Sequence, residues 1–204
     1  MKSYQLELPE DEQFAIRAKQ GTPVPLVEMR GIDEQGREIP WDGKTLANWQ
    51  RGPWIISSYY NDDRSKDSFH DGWFKTGDVV TIDADGFMQI VDRAKDLVKS
   101  GGEWISSQDL ENTIMSHPKV AEAAVIAIPH PKWQERPLAC VVPKPEYKDS
   151  ITKEEIYEHL RPHYSAMYLP DDIVFIESVP KTSVGKFDKK VLRAQYQDYV
   201  MPER

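Results

Sequence analysis

The stretch Val91-Asp-Arg-Ala-Lys-Asp-Leu-Val-Lys-Ser-Gly-Gly-Glu-Trp-Ile-Ser106 divides the chain. Before it the sequence is made of short strand-like segments; after it strand and helix patterns alternate. Charged residues crowd the Gly101-Gly102 pair, the composition of a joint between two folding units. On an extended backbone Arg93, Lys95 and Lys99 share one face, because side chains alternate along a strand. A cationic edge beside two glycines suits an anionic ligand that the backbone must approach closely. A hairpin edge guarded by lysines against aggregation carries the same pattern.

Upstream, Met1 to Gln20 is charged, with helical spacing only around Phe14 to Lys19, and is expected to be weakly docked. Organised structure is expected from Val24. Pro25 to Ile32 alternates apolar and polar residues and ends at the turn Asp33-Glu-Gln-Gly36. Trp49, Trp54 and Ile55-Ile56 lie in further strand-like segments broken by Gly52-Pro53, and Asn61 to Asp71 is a polar loop. Trp73 to Lys75, Val79 to Ile82 and Phe87 to Val91 read as short strands, the last two joined by Asp83-Ala-Asp-Gly86. Residues 1–91 are therefore expected to form a small antiparallel β subdomain, and residues 92–95 a hinge.

Downstream, Ser107 is placed to cap a helix over Gln108 to Ser116, with Leu110 and Ile114 four apart and Pro118 closing it. Val120 to Ile128 and Leu138 to Pro143 are strands, separated by the loop His130-Pro-Lys-Trp-Gln-Glu-Arg-Pro137. Thr152 and Glu155 have the spacing of a capping box, opening a helix towards Arg161. A strand over Ile173 to Ile176 and a helix over Phe187 to Tyr199 complete the order. Residues 96–204 are expected to form a compact α+β domain, which makes the whole chain α+β.

The bulk numbers agree with a folded, water-facing protein. Of 204 residues, 39% are hydrophobic and 29% charged, with six Trp and nine Tyr, a composition that disordered chains rarely have. No apolar run approaches the ~20 residues that span a bilayer, and the first thirty residues lack a signal-peptide core. A cytoplasmic protein is expected. The net charge of -8 argues against general affinity for nucleic acid, although Lys181, Lys186, Lys189, Lys190 and Arg193 crowd the C-terminal end. Those last-helix lysines are expected to form a solvated face. The single Cys140 lies in an apolar run and is expected to be a packed core thiol. His159 and His163 are four apart, but Pro162 breaks the helix that would align them; solvated histidines are expected, and His130 has no evident role.

Two short segments have ligand-binding chemistry. Pro180-Lys-Thr-Ser-Val-Gly-Lys186 leaves a strand and delivers Lys186 just before a helix, where an ammonium can grip phosphate or carboxylate oxygens. It lacks the glycine spacing of a phosphate-binding P-loop, and an exposed turn lysine would look the same. Thr76-Gly77-Asp78 offers a carboxylate whose oxygens can accept from adjacent ribose hydroxyls; it is also a plain turn sequence.

Taken in order, Gly72-Trp-Phe-Lys-Thr-Gly-Asp78, Asp92-Arg93-Ala-Lys95-Asp-Leu-Val-Lys99-Ser-Gly-Gly102, Leu169-Pro-Asp-Asp172 and Pro180-Lys-Thr-Ser-Val-Gly-Lys186 resemble the adenylate-forming superfamily. The likeness is to its AMP-forming acyl-CoA synthetases, especially medium- and long-chain fatty-acid ligases, and runs from Pro23 to Arg193. It implies that a carboxylic acid and ATP give an acyl-adenylate and pyrophosphate, after which the thiol of CoA displaces AMP. By position, Lys186 is similar to the family's catalytic adenylation lysine, Asp78 to its ribose-hydroxyl acceptor and Arg93 to an arginine on the nucleotide. Lys95 resembles the hinge residue between the half-reactions. Gly101 and Gly102 resemble the loop lining the pantetheine channel, and Lys99 joins the cofactor-binding set from the cationic edge. Mg2+ is expected for the full enzyme, with no ligand for it in these residues.

Asp92 stands where glycine is frequent in the superfamily, and Asp109-Leu-Glu111 replaces the usual Glu-x-Glu. The Ser/Thr/Gly-rich phosphate loop, the Tyr-Gly-x-Thr-Glu segment and the acyl pocket have no counterpart. The expectation is therefore a C-terminal portion of a fatty-acid–CoA ligase, inactive alone. The alternative is a non-catalytic binding remnant that pairs with a separate N-terminal chain.

Overall fold

The computed structural model describes residues 1–33, 36–43 and 45–202. The chain divides into two compact units, Met1–Lys95 and Asp96–Arg204. The architecture is α+β, a β-rich unit followed by one in which helices and strands alternate.

The first unit runs α1 (Glu10–Arg17), β1 (Glu28–Ile32), β2 (Glu38–Ile39), β3 (Thr45–Arg51), α2 (Arg64–Ser68), β4 (Phe69–His70), β5 (Trp73–Ile82) and β6 (Met88–Arg93). The strands make one antiparallel sheet in the order β2-β1-β3-β5-β4, with β6 also on β5. Its apolar side is small: Met29, Val80 and Ile82 are buried, with Ile39, Trp41, Met88 and Ile90 packed against them. The two strands expected at Trp73 and Val79 are one ten-residue strand. Gly77 lets it continue at φ +75°, a conformation that glycine adopts without steric cost.

Polar anchors supplement this modest core, and they correct the reading of the N-terminus. Asp83 caps the β5–β6 turn by accepting from Asp85 N and Phe87 N, and also pairs with Lys19 at 2.6 Å. Asp85 accepts from Lys2, Tyr4 and Gln5. Gln5 is buried, and Gln20 bonds through its backbone N–H to Met88 O and through its side chain to Ile90 N. Order therefore begins well before Val24. Hydrophobic periodicity carries no trace of a segment docked by hydrogen bonds.

Two further expectations change. Trp54 to Ile56 is no strand: the chain leaves the ladder after Arg51, and Trp54 is exposed with its Nε1 donating to Pro25 O. Gly52 crosses so closely that a Cβ there would lie 2.3 Å from Leu26 O. The Asn61–Asp71 loop contains α2 and β4. Of the turn at Asp33–Gly36, Glu34 and Gln35 lie outside the described residues.

The second unit runs β7 (Val98–Ser100), β8 (Glu103–Ile105), α3 (Ser107–Met115), β9 (Val120–His130), β10 (Gln134–Pro143), α4 (Lys153–Leu160), β11 (Asp172–Phe175) and α5 (Lys189–Gln195). Strand β10 is central. It pairs with β9 along its length and carries β11, in parallel, and β7 at different ends of its other edge. Both faces of this sheet are covered, so its inner strands read as continuous apolar runs rather than alternating ones. Ala123, Val125, Ala139, Val141 and Ile173 pack with Leu110, Ile114, Ile156 and Leu160 of α3 and α4. The intervening Ala124, Ile126, Ile128, Leu138 and Cys140 pack with Leu192 of α5 and with Val179, which follows β11 in the chain.

Boundaries shift for local reasons. Ser106, not Ser107, caps α3 by accepting from Asp109 N at 3.1 Å. The Thr152–Glu155 capping box is present at α4. The expected loop His130–Pro137 shrinks to a turn over residues 131–133, closed by His130 Nδ1 accepting from Lys132 N and Trp133 N. The last helix spans Lys189–Gln195, starting at the cap Asp188.

Candidate functional site

Asp78 and Arg93 face each other across β5 and β6. Arg93 Nε lies 2.8 Å from Asp78 Oδ1, and Asp78 is the better sheltered, with its side chain 17% exposed against 57% for Arg93. The local sequence sets this geometry. Thr76 Oγ1 donates to Asn48 O and accepts from Asp78 N, and Ala94 N donates to Gly77 O. Asp78 Oδ2 accepts no hydrogen bond among the described residues, so an oxygen remains for an outside donor.

Backbone pairing on β6 therefore persists through Ala94, and Asp92 and Arg93 belong to the ladder. Residues 94–97 form a turn that includes the exposed Lys95. The single extended edge expected to align Arg93, Lys95 and Lys99 does not form. The turn breaks the strand, and the boundary between the units falls after Lys95.

In the second unit, Lys99 is on β7 with its ammonium 4.6 Å from the ring centre of Trp104. Its backbone N–H donates to Glu135 Oε2 at 2.8 Å. Gly101 and Gly102 turn the chain into β8 at φ +59° and +89°. The two glycines differ. A Cβ on Gly101 would lie 2.8 Å from the Trp133 ring, whereas one on Gly102 would meet nothing within 4 Å.

Lys186 sits on a small hairpin. Thr182 N donates to Lys186 O, Gly185 N to Thr182 O, and Lys186 N to Thr182 Oγ1. The Lys181–Phe187 bridge and the Asp188 N to Pro180 O bond close its base. Lys186 itself is exposed and makes no ion pair among the described residues.

Three residues on, Lys189 corrects the expectation of a solvated basic face. Its ammonium is 2.7 Å from Glu111 Oε1 and 2.7 Å from Ser107 Oγ, with side chains 11% and 8% exposed for Lys189 and Glu111. Glu111 Oε1 also accepts from Val125 N. Arg193 pairs with Asp96. The start of α5, and with it the lysine hairpin, is thus tied to α3 and β9. Sequence reading missed this tie, because a buried pair of opposite charges far apart in the chain leaves no periodic mark.

Cys140 and His159 serve the fold. Burial pushes the Cys140 thiol up to about 12, so it is a core thiol and no nucleophile. His159 is half-buried rather than solvated: it bonds Ser116 Oγ and Thr113 O and packs edge-on to His117. Among the described residues no group of His, Cys, Asp or Glu is placed to hold a metal ion, and no helix is long and apolar enough to cross a membrane.

Residues 109–186 match the family of AMP-binding enzyme C-terminal domains. The long-chain-fatty-acid–CoA ligase of Thermus thermophilus is 53% identical over 203 residues, which is 98% of this chain and 37% of that protein. The 3-methylmercaptopropionyl-CoA ligase of Ruegeria lacuscaerulensis is 44% identical over 94% of this chain and 35% of its own length. Among solved structures, ATP-bound MatB from Rhodopseudomonas palustris superposes with a TM-score of 0.79 at 32% identity, covering 89% of this chain and 36% of that one. The chain thus spans little more than a third of the relatives it matches. Residues 109–186 are thus an AMP-binding enzyme C-terminal domain, and the chain is homologous, over little more than a third of their length, to acyl-CoA ligases of the adenylate-forming superfamily.

Proposed function

We propose that this chain is the lysine-bearing, thiol-presenting portion of an ATP-dependent fatty-acid–CoA ligase, acting in the cytoplasm. The feature that carries this reading is Lys186, an exposed ammonium on a hairpin braced at both flanks. In the first half-reaction a carboxylate oxygen attacks the α-phosphorus of ATP and pyrophosphate leaves. Two anions must meet, and an ammonium held in place offsets their repulsion without reorganising. Asp78 accepts from the ribose hydroxyls through its uncommitted oxygen, and Arg93 holds the other oxygen and contacts the nucleotide.

In the second half-reaction the thiol sulfur of CoA bonds to the acyl carbon. The carbon–oxygen bond to AMP breaks, AMP leaves with the electron pair, and the thiol proton passes to solvent. Gly102, with open space on its Cα, and Gly101 line the path of the pantetheine arm, with Lys99 beside them. Of the expected hinge at residues 92–95, Asp92 and Arg93 stay in the β6 ladder, so the pivot between the half-reactions falls at its end, on Lys95. The phosphate grip, the acyl pocket and the Mg2+ of the full enzyme belong to the N-terminal portion of a complete ligase. The fatty-acid preference is supported by the 53% identity to the Thermus ligase.

The test joins this chain to the N-terminal portion of that relative and follows octanoate-dependent pyrophosphate release and octanoyl-CoA formation. Lys186→Ala is expected to lower adenylate formation about a hundredfold to a thousandfold. Adenylate formation indifferent to that change removes the enzyme reading and leaves a binding remnant. Lys95→Pro is expected to slow thioester formation more than adenylation, because it stiffens the joint and touches neither anion; equal losses would count against a pivot there.

A further inference from the structure

Trp133, at the end of the turn, and Gln134-Glu-Arg136, which open β10, hold the strand and turn Lys99-Ser-Gly101 at successive points. Gly101 N donates to Trp133 O at 3.0 Å. Gln134 pairs with Ser100 in the ladder, and Glu135 Oε2 accepts from Lys99 N. Arg136 reaches Ser100 Oγ through Nη1 at 2.7 Å. The Trp133 ring then covers the side of Gly101 where a Cβ would lie, and Met167 Cε stands 3.7 Å from the same point.

Arg136 is the centre of this arrangement. Its remaining bonds run from Nη1 to Met167 O, from Nη2 to Leu169 O, and from Nε and Nη2 to Asp171 Oδ1. Together with Ser100 these use all five guanidinium N–H donors. The side chain is 6% exposed and that of Asp171 11%. A guanidinium so occupied has no donor left for a ligand. Its planar fork instead fixes two segments, the glycine turn and residues 167–171, in one geometry, which a lysine's point charge cannot reproduce.

We propose that Arg136 is a positioning residue for the thioester half-reaction. It holds the Ser100–Gly102 turn so that the open side of Gly102 stays aligned with the arriving pantetheine arm, and Trp133 keeps Gly101 from relaxing into that path. This rests on the reading of the glycine pair as the thiol channel. Reactions that depend on alignment are sensitive to small displacements, and about 1 Å can cost on the order of a hundredfold.

Two measurements on Arg136→Lys and Ser100→Ala test it. The first is amide hydrogen exchange in the 204-residue chain, read at Gly101 N–H against the Ala139 and Cys140 amides of the same sheet. Exchange at Gly101 is expected to rise about tenfold or more while the core amides keep their protection. The second is the octanoate assay on the joined enzyme. Octanoyl-CoA formation is expected to fall about tenfold or more in kcat for Arg136→Lys, with adenylate formation falling far less. Unchanged protection at Gly101, or equal losses in the two half-reactions, overturns the proposal. If the joined wild-type enzyme makes no adenylate, the ligase reading fails while the exchange result still decides whether Arg136 holds the turn.

Discussion

Lys186 and Lys189 stand three residues apart on either side of the Asp188 cap, and the protein treats them oppositely. Lys186 is exposed on a hydrogen-bonded hairpin without an ion-pair partner among the described residues. Lys189 is nearly buried against Glu111 and Ser107. A charge that lacks an internal partner is available to a ligand, whereas a desolvated charge must be satisfied within the fold. The second lysine fixes the start of the helix beside which the hairpin carrying the first one projects.

That contrast can be broken from either side. Lys189→Met should destabilise the second unit by about 3–5 kcal/mol, because the buried Glu111 carboxylate loses its ammonium partner; denaturant unfolding of the chain measures it. Adding Glu111→Gln should recover a good part of that loss, since the amide still accepts from Val125 N while the buried charge disappears. A Lys189 variant as stable as the parent would mean that the pair holds nothing.

The next effect is acid-dependent. Burial raises the Asp172 carboxyl, but hydrogen bonds from Lys153, Tyr199 and Ile173 N outweigh it and leave the group below its ordinary 3.8. A carboxyl depressed by folding stabilises above its unfolded pKa and loses that contribution as pH falls through the lower, folded value. The chain should therefore lose stability below about pH 4, and Asp172→Asn should flatten this part of the profile. An unchanged acid limb in the variant would discount Asp172. At the small end, Lys181→Ala removes an exposed pair with Glu122 and should cost about 1 kcal/mol or less. Lys186→Met should leave unfolding within about 0.5 kcal/mol; a larger change would mean that Lys186 serves the fold after all.

Much of this was legible beforehand. Apolar runs and turn residues gave the strand and helix order of the second unit, and the Thr152–Glu155 spacing gave the start of α4. Resemblance alone marks Asp78, Arg93, Gly101, Gly102 and Lys186, and the structure supplies what resemblance cannot. Arg93 is already committed to Asp78, and Gly101 lies beneath Trp133 while Gly102 faces open space. What stayed hidden was polar and long-range: Asp83 and Asp85 holding the N-terminus, Glu111 with Lys189, and Arg136 with Asp171. Such contacts join residues tens of positions apart, and neither the helical nor the strand period records them. Arg136 did leave a faint signal, a cation at the edge of the apolar run that follows Pro137.

The lone thiol of Cys140 gives the molecule a stopwatch. It is fully buried in the strand on which the second sheet is built, and its proton is held up to about 12. A thiol reagent should therefore meet a thiolate only when that sheet comes apart. Labelling rate then times the opening of the lysine-bearing half.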